Sequence, residues 1–238
     1  MEITKREIVF SIIIAAVMIF FGFFIAGKIS DKQMDQNEKY YKAVKIVDAE
    51  QFEYGMATNV GNAFVTGDLC GVDTVSYPDI EGEYLYVRKE REEYTRHTRR
   101  VYHSTGKSGY YTTEVYYTWD YAGHESKRCE ELSFCGHVFP SEKIELSGSR
   151  HIDTVYQSSC VRYVYYGIAA ETYTGTVFTV LGDNTISDGT DFYSGYDIAE
   201  TLEFLEIKGR AAIFWVIWIA AMAGIVGIFY YIDNRWLE

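Results

Sequence analysis

Residues 211–232 form an apolar run without one charged side chain, and a run of that kind leaves a chain few options. At about 1.5 Å per residue it is long enough to cross a bilayer core of about 30 Å. Residues 8–27, IVFSIIIAAVMIFFGFFIAG, make a second such run. Its apolar core is longer than the roughly 7–15 residues of a signal-peptide core, and no A-x-A cleavage pattern follows it. It therefore reads as a retained anchor, each large apolar residue gaining about 0.3–0.6 kcal/mol on insertion. The expectation is an integral protein of the cell membrane, with the lipid bilayer as its first partner.

Between the runs lies enough chain for one ordinary domain with its own core. Only Pro78 and Pro140 are prolines, while tyrosine occurs 22 times in 238 residues, a texture that favours strands. Residues 83–102 and 110–121 read as an antiparallel hairpin turning at Gly106-Lys107-Ser108-Gly109. In the return strand Tyr111, Thr113, Val115, Tyr117, Trp119 and Tyr121 fall on one face, and Thr112, Glu114, Thr118 and Asp120 on the other. Further strands are expected at 131–134, 160–168 and 174–181, with a tight turn at Gly182-Asp183-Asn184.

Helical spacing returns at Asp197, where Ile198, Leu202 and Leu205 share a face and Asp197 can cap. The organisation read from the chain is a tail at 1–7, a first span at 8–27 and a helical connector at 28–50. A strand-rich membrane-flanking domain follows at 51–196. An amphipathic helix at 197–210 then runs without a breaker into the second span at 211–232 and a tail at 233–238. The fold class is α+β: a mixed domain of antiparallel hairpins between two transmembrane helices.

The formal net charge of −12 falls almost wholly between the spans, which argues against nucleic acid as a partner. Cys70, Cys129, Cys135 and Cys160 allow three disulfide connectivities in an oxidising space, or serve as small buried hydrophobes in a reducing one. Lys28, Lys32, Lys39, Lys42, Lys45, Lys208 and Arg210 flank the spans on the domain side, against Lys5, Arg6 and Arg235 outside. Counted alone, that bias places the domain in the cytoplasm, although long loops cross regardless of charge.

Four groupings have the residue types for chemistry. His124, Cys129, Cys135 and His137 are zinc-type ligands, yet their H-x4-C-x5-C-x-H spacing matches no standard knuckle, and core or disulfide cysteines explain them as well. Residues 88–100, RKEREEYTRHTRR, suit a phosphate or headgroup site, or a solvated hairpin face with cross-strand ion pairs, which the interleaved acids favour. The box Gly182-Asp183-Asn184 with Ser187 and Asp188 resembles one in type I signal peptidases, but Ser30 is followed by Asp31 and Lys32 rather than that family's Ser-x-Met-Pro. Without a nucleophile beside a base there is no mechanism. Ala220-x3-Gly224 and Ala223-x3-Gly227 are small-residue pairs that admit a close helix, from this chain or another copy. No catalytic, cofactor-binding or metal-binding residue is assigned, and no cofactor is expected.

Glu92-Glu93-Tyr94, Trp119 and the 134–139 stretch carry a wider likeness. So do Tyr173-x-Gly175, Leu181-x-Asp183-Asn184, Phe192-Tyr193 and the 198–206 helix. In this layout the chain resembles the beside-a-membrane (BAM) family of two-pass proteins, without the RING that some members carry after the second span. The resemblance implies a membrane-flanking domain on the non-cytosolic side, and that orientation is adopted. The function expected of the chain is a non-enzymatic binding or assembly module whose partner is a protein, a lipid or a second copy through the spans, a role that abundant tyrosines suit. The alternatives are a membrane-anchored hydrolase and an accessory subunit of a membrane transport complex.

Overall fold

The computed structural model describes residues 5–104, 106 and 108–236. Lys107 of the expected hairpin turn, residues 1–4 of the first tail and residues 237–238 of the second lie outside the described residues. In chain order the elements are α1 (Lys5–Tyr41), β1 (Val44–Ile46), α2 (Ala49–Ala57), β2 (Gly61–Gly71), β3 (Tyr84–Ser104), β4 (Gly109–Arg128) and β5 (Glu131–Phe134). There follow β6 (His137–Pro140), a 3-10 turn at Ser141–Lys143, β7 (Ile144–Glu145), β8 (Arg150–Tyr156), β9 (Val161–Ala169) and β10 (Tyr173–Gly182). The chain ends with β11 (Thr185–Ile186), β12 (Thr190–Ser194), α3 (Ile198–Leu205) and α4 (Arg210–Trp236). This is the α+β class, with antiparallel sheets between two long apolar helices. The chain divides into two units, Met1–Ala43 with Leu202–Glu238, and Val44–Thr201.

In the first unit α1 and α4 pack as an antiparallel pair, with contacts from Arg6–Asp233 at one end to Gln36–Arg210 at the other. Arg6 donates to both carboxylate oxygens of Asp233 at 3.2 Å, Tyr230 donates to Ser11 at 3.2 Å, and the Trp218 indole donates to the Met18 carbonyl at 3.0 Å. Gly22 makes the close approach, since a Cβ there would stand 2.7 Å from the Trp218 Nε1. The small-residue pairs do not make this contact: Cβ atoms built on Gly224 and Gly227 would meet nothing within 4 Å. Each helix contains a stretch long and apolar enough to cross a membrane. Only 6% of that stretch is buried in α1 and none in the C-terminal helix, whereas a core helix of a soluble domain is largely covered.

Two helix boundaries differ from expectation. α1 ends at Tyr41 instead of continuing to residue 50, and after β1 a separate helix begins. There Asp48 caps α2 by accepting from the Glu50 N–H at 3.1 Å, a stop-and-restart that helix-favouring Lys, Gln and Glu concealed. The 197–210 helix is also interrupted. α3 starts on a capping box, in which Asp197 Oδ1 accepts from the Glu200 N–H at 2.8 Å and Glu200 returns the bond at 3.0 Å. It stops at Leu205, and α4 begins after Gly209, whose φ of +77° the helix interior does not permit.

In the second unit one eight-stranded sheet has the order β6-β5-β2-β10-β12-β7, with β1 parallel to β2 and β11 folded back on β10. A four-stranded sheet has the order β4-β3-β9-β8. The larger core gathers under α2, where the Phe52 ring meets Phe134 at 5.8 Å, His137 at 5.5 Å and Phe139 at 6.1 Å. A smaller core holds Tyr77, Ile80, Val87 and Tyr165. Tyr165 is fully buried and donates to Asp79 at 2.9 Å, and its burial beside that carboxylate pushes its ionisation well above the usual tyrosine range.

Asp183 and Asn184 both have positive φ and form the two-residue turn expected between β10 and β11. Cys135 and Gly136 do the same between β5 and β6, with φ of 49° and 79°. Cys135 therefore sits in a turn, outside the strands that flank it.

Candidate aromatic binding face

The hairpin of β3 and β4 is the long element of the smaller sheet, each strand spanning about 65–70 Å at about 3.3 Å per residue. β9 borders β3 only as far as the Glu93–Val161 pair, and among the described residues nothing pairs with the outer side of β4. From Thr95 to Ser104 the hairpin is a two-stranded ribbon. Such a ribbon is marginal in water unless its cross-strand pairs hold it together.

The register sets the two faces. Tyr94 opposes Trp119, Arg96 opposes Tyr117, Thr98 opposes Val115, Arg100 opposes Thr113 and Tyr102 opposes Tyr111. This is the aromatic face read from the alternation of the return strand. Tyr94 stacks on Tyr117 with centroids 5.5 Å apart and tilts against Trp119 at 5.1 Å, and Tyr102 meets Tyr111 at 5.1 Å. Tyr156 of β8 extends the stripe with an edge contact to Trp119 at 5.9 Å. Arg162 lies over Trp119 at 4.5 Å and pairs with Glu92 at 2.6 Å. The rings pack on one another yet remain open outward: Tyr111 is 61% exposed and Tyr117 51%.

The charges of this face are lopsided. Glu92 is its acid and is taken by Arg162, while Arg96 and Arg100 have no carboxylate partner among the described residues. Arg100 instead lies 4.8 Å over the Tyr111 ring. An acidic protein thus presents an aromatic surface edged with cations.

The opposite face carries a polar cluster. Asp120 accepts from Thr95 and from Thr118 (2.8 Å), and its Oδ2 lies 2.5 Å from His97 Nε2. These bonds, that from Thr95 foremost, hold the Asp120 carboxyl below its ordinary range. Thr95 Oγ1 also lies 2.9 Å from the same His97 nitrogen. A nucleophile–base–acid relay needs the two ring nitrogens to face different partners, and here one nitrogen meets both. The cluster cross-links two strands of the ribbon.

The other groupings separate in space. Among the described residues no three His, Cys, Asp or Glu side chains gather as metal ligands. His124 bonds Tyr121, His137 packs on Phe52, and Cys129 is a core residue whose thiol burial pushes upward in pKa. Cys70, Cys129, Cys135 and Cys160 are all free thiols, none joined in a disulfide. The basic run 88–100 is largely neutralised, but by two geometries. Arg99–Glu114 at 2.8 Å is a cross-strand pair, while Arg88–Glu90 and Arg91–Glu93 join neighbours two apart on one face of β3. Lys89 is surrounded by Tyr77, Tyr163 and Tyr165 and pairs with Asp79 and Glu125. Ser187 bonds Thr179 at 2.9 Å, and Lys143 is directed to the Ile186 carbonyl and Asp188, so the signal-peptidase-like box assembles no Ser–Lys pair.

The extent of the face was missed from sequence in two respects. The contributions of β8 and β9 through Tyr156 and Arg162 depend on pairing across the sheet, which local alternation does not carry. No protein-family model, curated protein or solved structure matches the chain.

Proposed function

We propose that this is a non-enzymatic two-pass membrane protein of the cell membrane, its strand-rich domain on the extracytoplasmic side as a binding module akin to beside-a-membrane proteins. The two exposed apolar helices support the anchoring. The observation that carries the binding role is the ribbon face of Tyr94, Tyr102, Tyr111, Tyr117 and Trp119, rigid in its ring packing and open outward. Aromatic rings with arginine are the chemistry of protein interfaces, because they bury large area at small entropic cost. The partner is a protein surface presenting apolar and acidic side chains to Arg96 and Arg100.

Photo-crosslinking amino acids placed in living cells at Tyr111 and Tyr117 test this against Thr112 and Glu114 on the opposite face. The expected result is a discrete protein adduct from the aromatic face alone. Equal adducts from both faces, no adduct, an adduct with lipid or one of twice the chain's own mass would each overturn the proposed partner.

A further inference from the structure

A cleft of about 550 Å³ opens in the Val44–Thr201 unit, at the place where the chain leaves the smaller sheet at Ala169 and enters the larger one at Tyr173. It lies away from the ribbon face and belongs to no contact described above. Its size falls within the range of small-molecule sites, about 300–1,000 Å³. Leu69, Ile168 and Phe192 are buried and give it an apolar floor. Arg150, at the start of β8, and Glu171, in the link between β9 and β10, stand on its walls.

Both side chains are exposed to water at the mouth of the cleft. Among the described residues, Arg150 and Glu171 enter no ion pair and no side-chain hydrogen bond, with each other or with any neighbour. They are nonetheless close enough to the same lining residue to act on it: at Tyr173, which burial pushes upward in pKa, Glu171 adds to the rise and Arg150 opposes it. A purely anionic ligand placed there would gain from Arg150 and be opposed by Glu171, and a cation the reverse. A ligand with one charge of each sign is complementary to both, and the floor favours an apolar group attached to it.

We propose that this cleft binds a small zwitterion bearing an apolar group, its negative end on Arg150 and its positive end on Glu171. Two sources share that chemistry, a free apolar amino acid and a zwitterionic phospholipid headgroup with the start of its chains.

The test uses the full chain in nanodiscs of phosphatidylglycerol, which contain no zwitterionic headgroup, with binding followed by ligand-observed NMR. The probes are L-leucine, its single-charge analogues 4-methylpentanoate and 3-methylbutylamine, and water-soluble dibutyroylphosphatidylcholine. The expected result is saturable binding of at least one zwitterion at about 1 mM or tighter, with both single-charge analogues at least about tenfold weaker. R150Q and E171Q, both at exposed positions and checked for an unchanged unfolding midpoint, should each weaken the zwitterion by about tenfold. The tighter of leucine and the phosphatidylcholine identifies the source, and either assignment supports the site. No saturable binding by either zwitterion, a single-charge analogue that binds as well, or indifference to either substitution would overturn it.

Discussion

The carboxamide of Asn37 holds the backbone of Ile207 with two hydrogen bonds: Nδ2 donates to the Ile207 carbonyl and Oδ1 accepts from its N–H, both at 3.0 Å. The two residues are 170 apart in sequence, and Asn37 is buried. Ile207 lies in the interruption between α3 and α4, where helix ends leave backbone groups without intrahelical partners. The side chain does for that interruption what a strand neighbour would do, and it fixes the entry of the chain into α4. Substituting Asn37 by Ala should strand a part-buried N–H and carbonyl and cost about 1–2 kcal/mol. N37D should cost a similar amount, because a carboxylate accepts from the N–H but has nothing to give the carbonyl. Thermal unfolding in mild detergent reads both, and a midpoint unchanged in N37A would remove the clamp from the account.

Gly22 and Trp218 make the second long-range fit in the helix pair. A Cβ at residue 22 would crowd the indole that donates to the Met18 carbonyl, and the Trp215 ring stands 3.0 Å away as well. Gly22→Ala should cost about 1–3 kcal/mol by overpacking, and Gly22→Leu should separate the helices at this level. Gly224→Leu and Gly227→Leu should be tolerated by the same pair, since open space surrounds both positions. Disulfide trapping between cysteines introduced at Ser11 and Tyr230 measures the pairing. Loss in G224L with retention in G22L would invert the assignment.

Sequence reading served best where order is local. The aromatic face of β4 followed from alternation between Tyr111 and Tyr121, and the β5, β9 and β10 boundaries came within one residue. The Asp183–Asn184 turn followed from residues that tolerate positive φ. What escaped was set by distant contacts or by weak local preference. Nothing in KYYKAVKIVDAE marks a stop at Tyr41, because β1 exists through its parallel pairing with Ala63–Val65. The seven residues of β8, RHIDTVY, hold their place by pairing with β9 across a register shift at Ile152. The small-residue pairs of α4 caught the eye as motifs, yet the close approach falls on a single glycine of α1 that no motif flags. The cleft beside Arg150 joins segments from six strands and two links, and no window of sequence contains it.

Asp73 gives a pH dependence with a definite sign. Its carboxylate accepts from the N–H of Glu130 at 3.0 and 2.9 Å and from that of Glu131 at 2.9 Å, which ties the segment after β2 to the start of β5. Those bonds, first from Glu130, hold its pKa below the ordinary value. A carboxyl depressed by folding contributes its full share of stability above the unfolded value of about 3.9, and loses it as pH falls through the lower folded value. The urea midpoint of the wild type should therefore fall more steeply below about pH 4 than that of Asp73→Asn. At pH 7 the variant should be the less stable of the two, since an amide oxygen accepts more weakly and its NH2 faces two donors. Parallel curves for the two proteins between pH 7 and pH 3 would show that Asp73 carries none of this dependence.

The orientation rests on one thiol. Cys160 is exposed in the turn between β8 and β9, whereas Cys129 is buried and burial pushes the Cys135 thiol up to about 11. Thiolate is the reactive species, so at neutral pH a maleimide should reach Cys160 well before Cys135 or Cys129. An extracytoplasmic domain predicts that a membrane-impermeant maleimide labels intact cells without prior reduction, and that Cys160→Ser removes most of the rapid signal. Labelling that appears only after the membrane is broken would place the domain in the cytoplasm, as the lysines flanking the spans favour. The binding face would then look for its protein partner among cytoplasmic surfaces. The ribbon chemistry would be unchanged, because neither the ring packing of Tyr94, Tyr117 and Trp119 nor the cation of Arg96 depends on which side of the bilayer it faces.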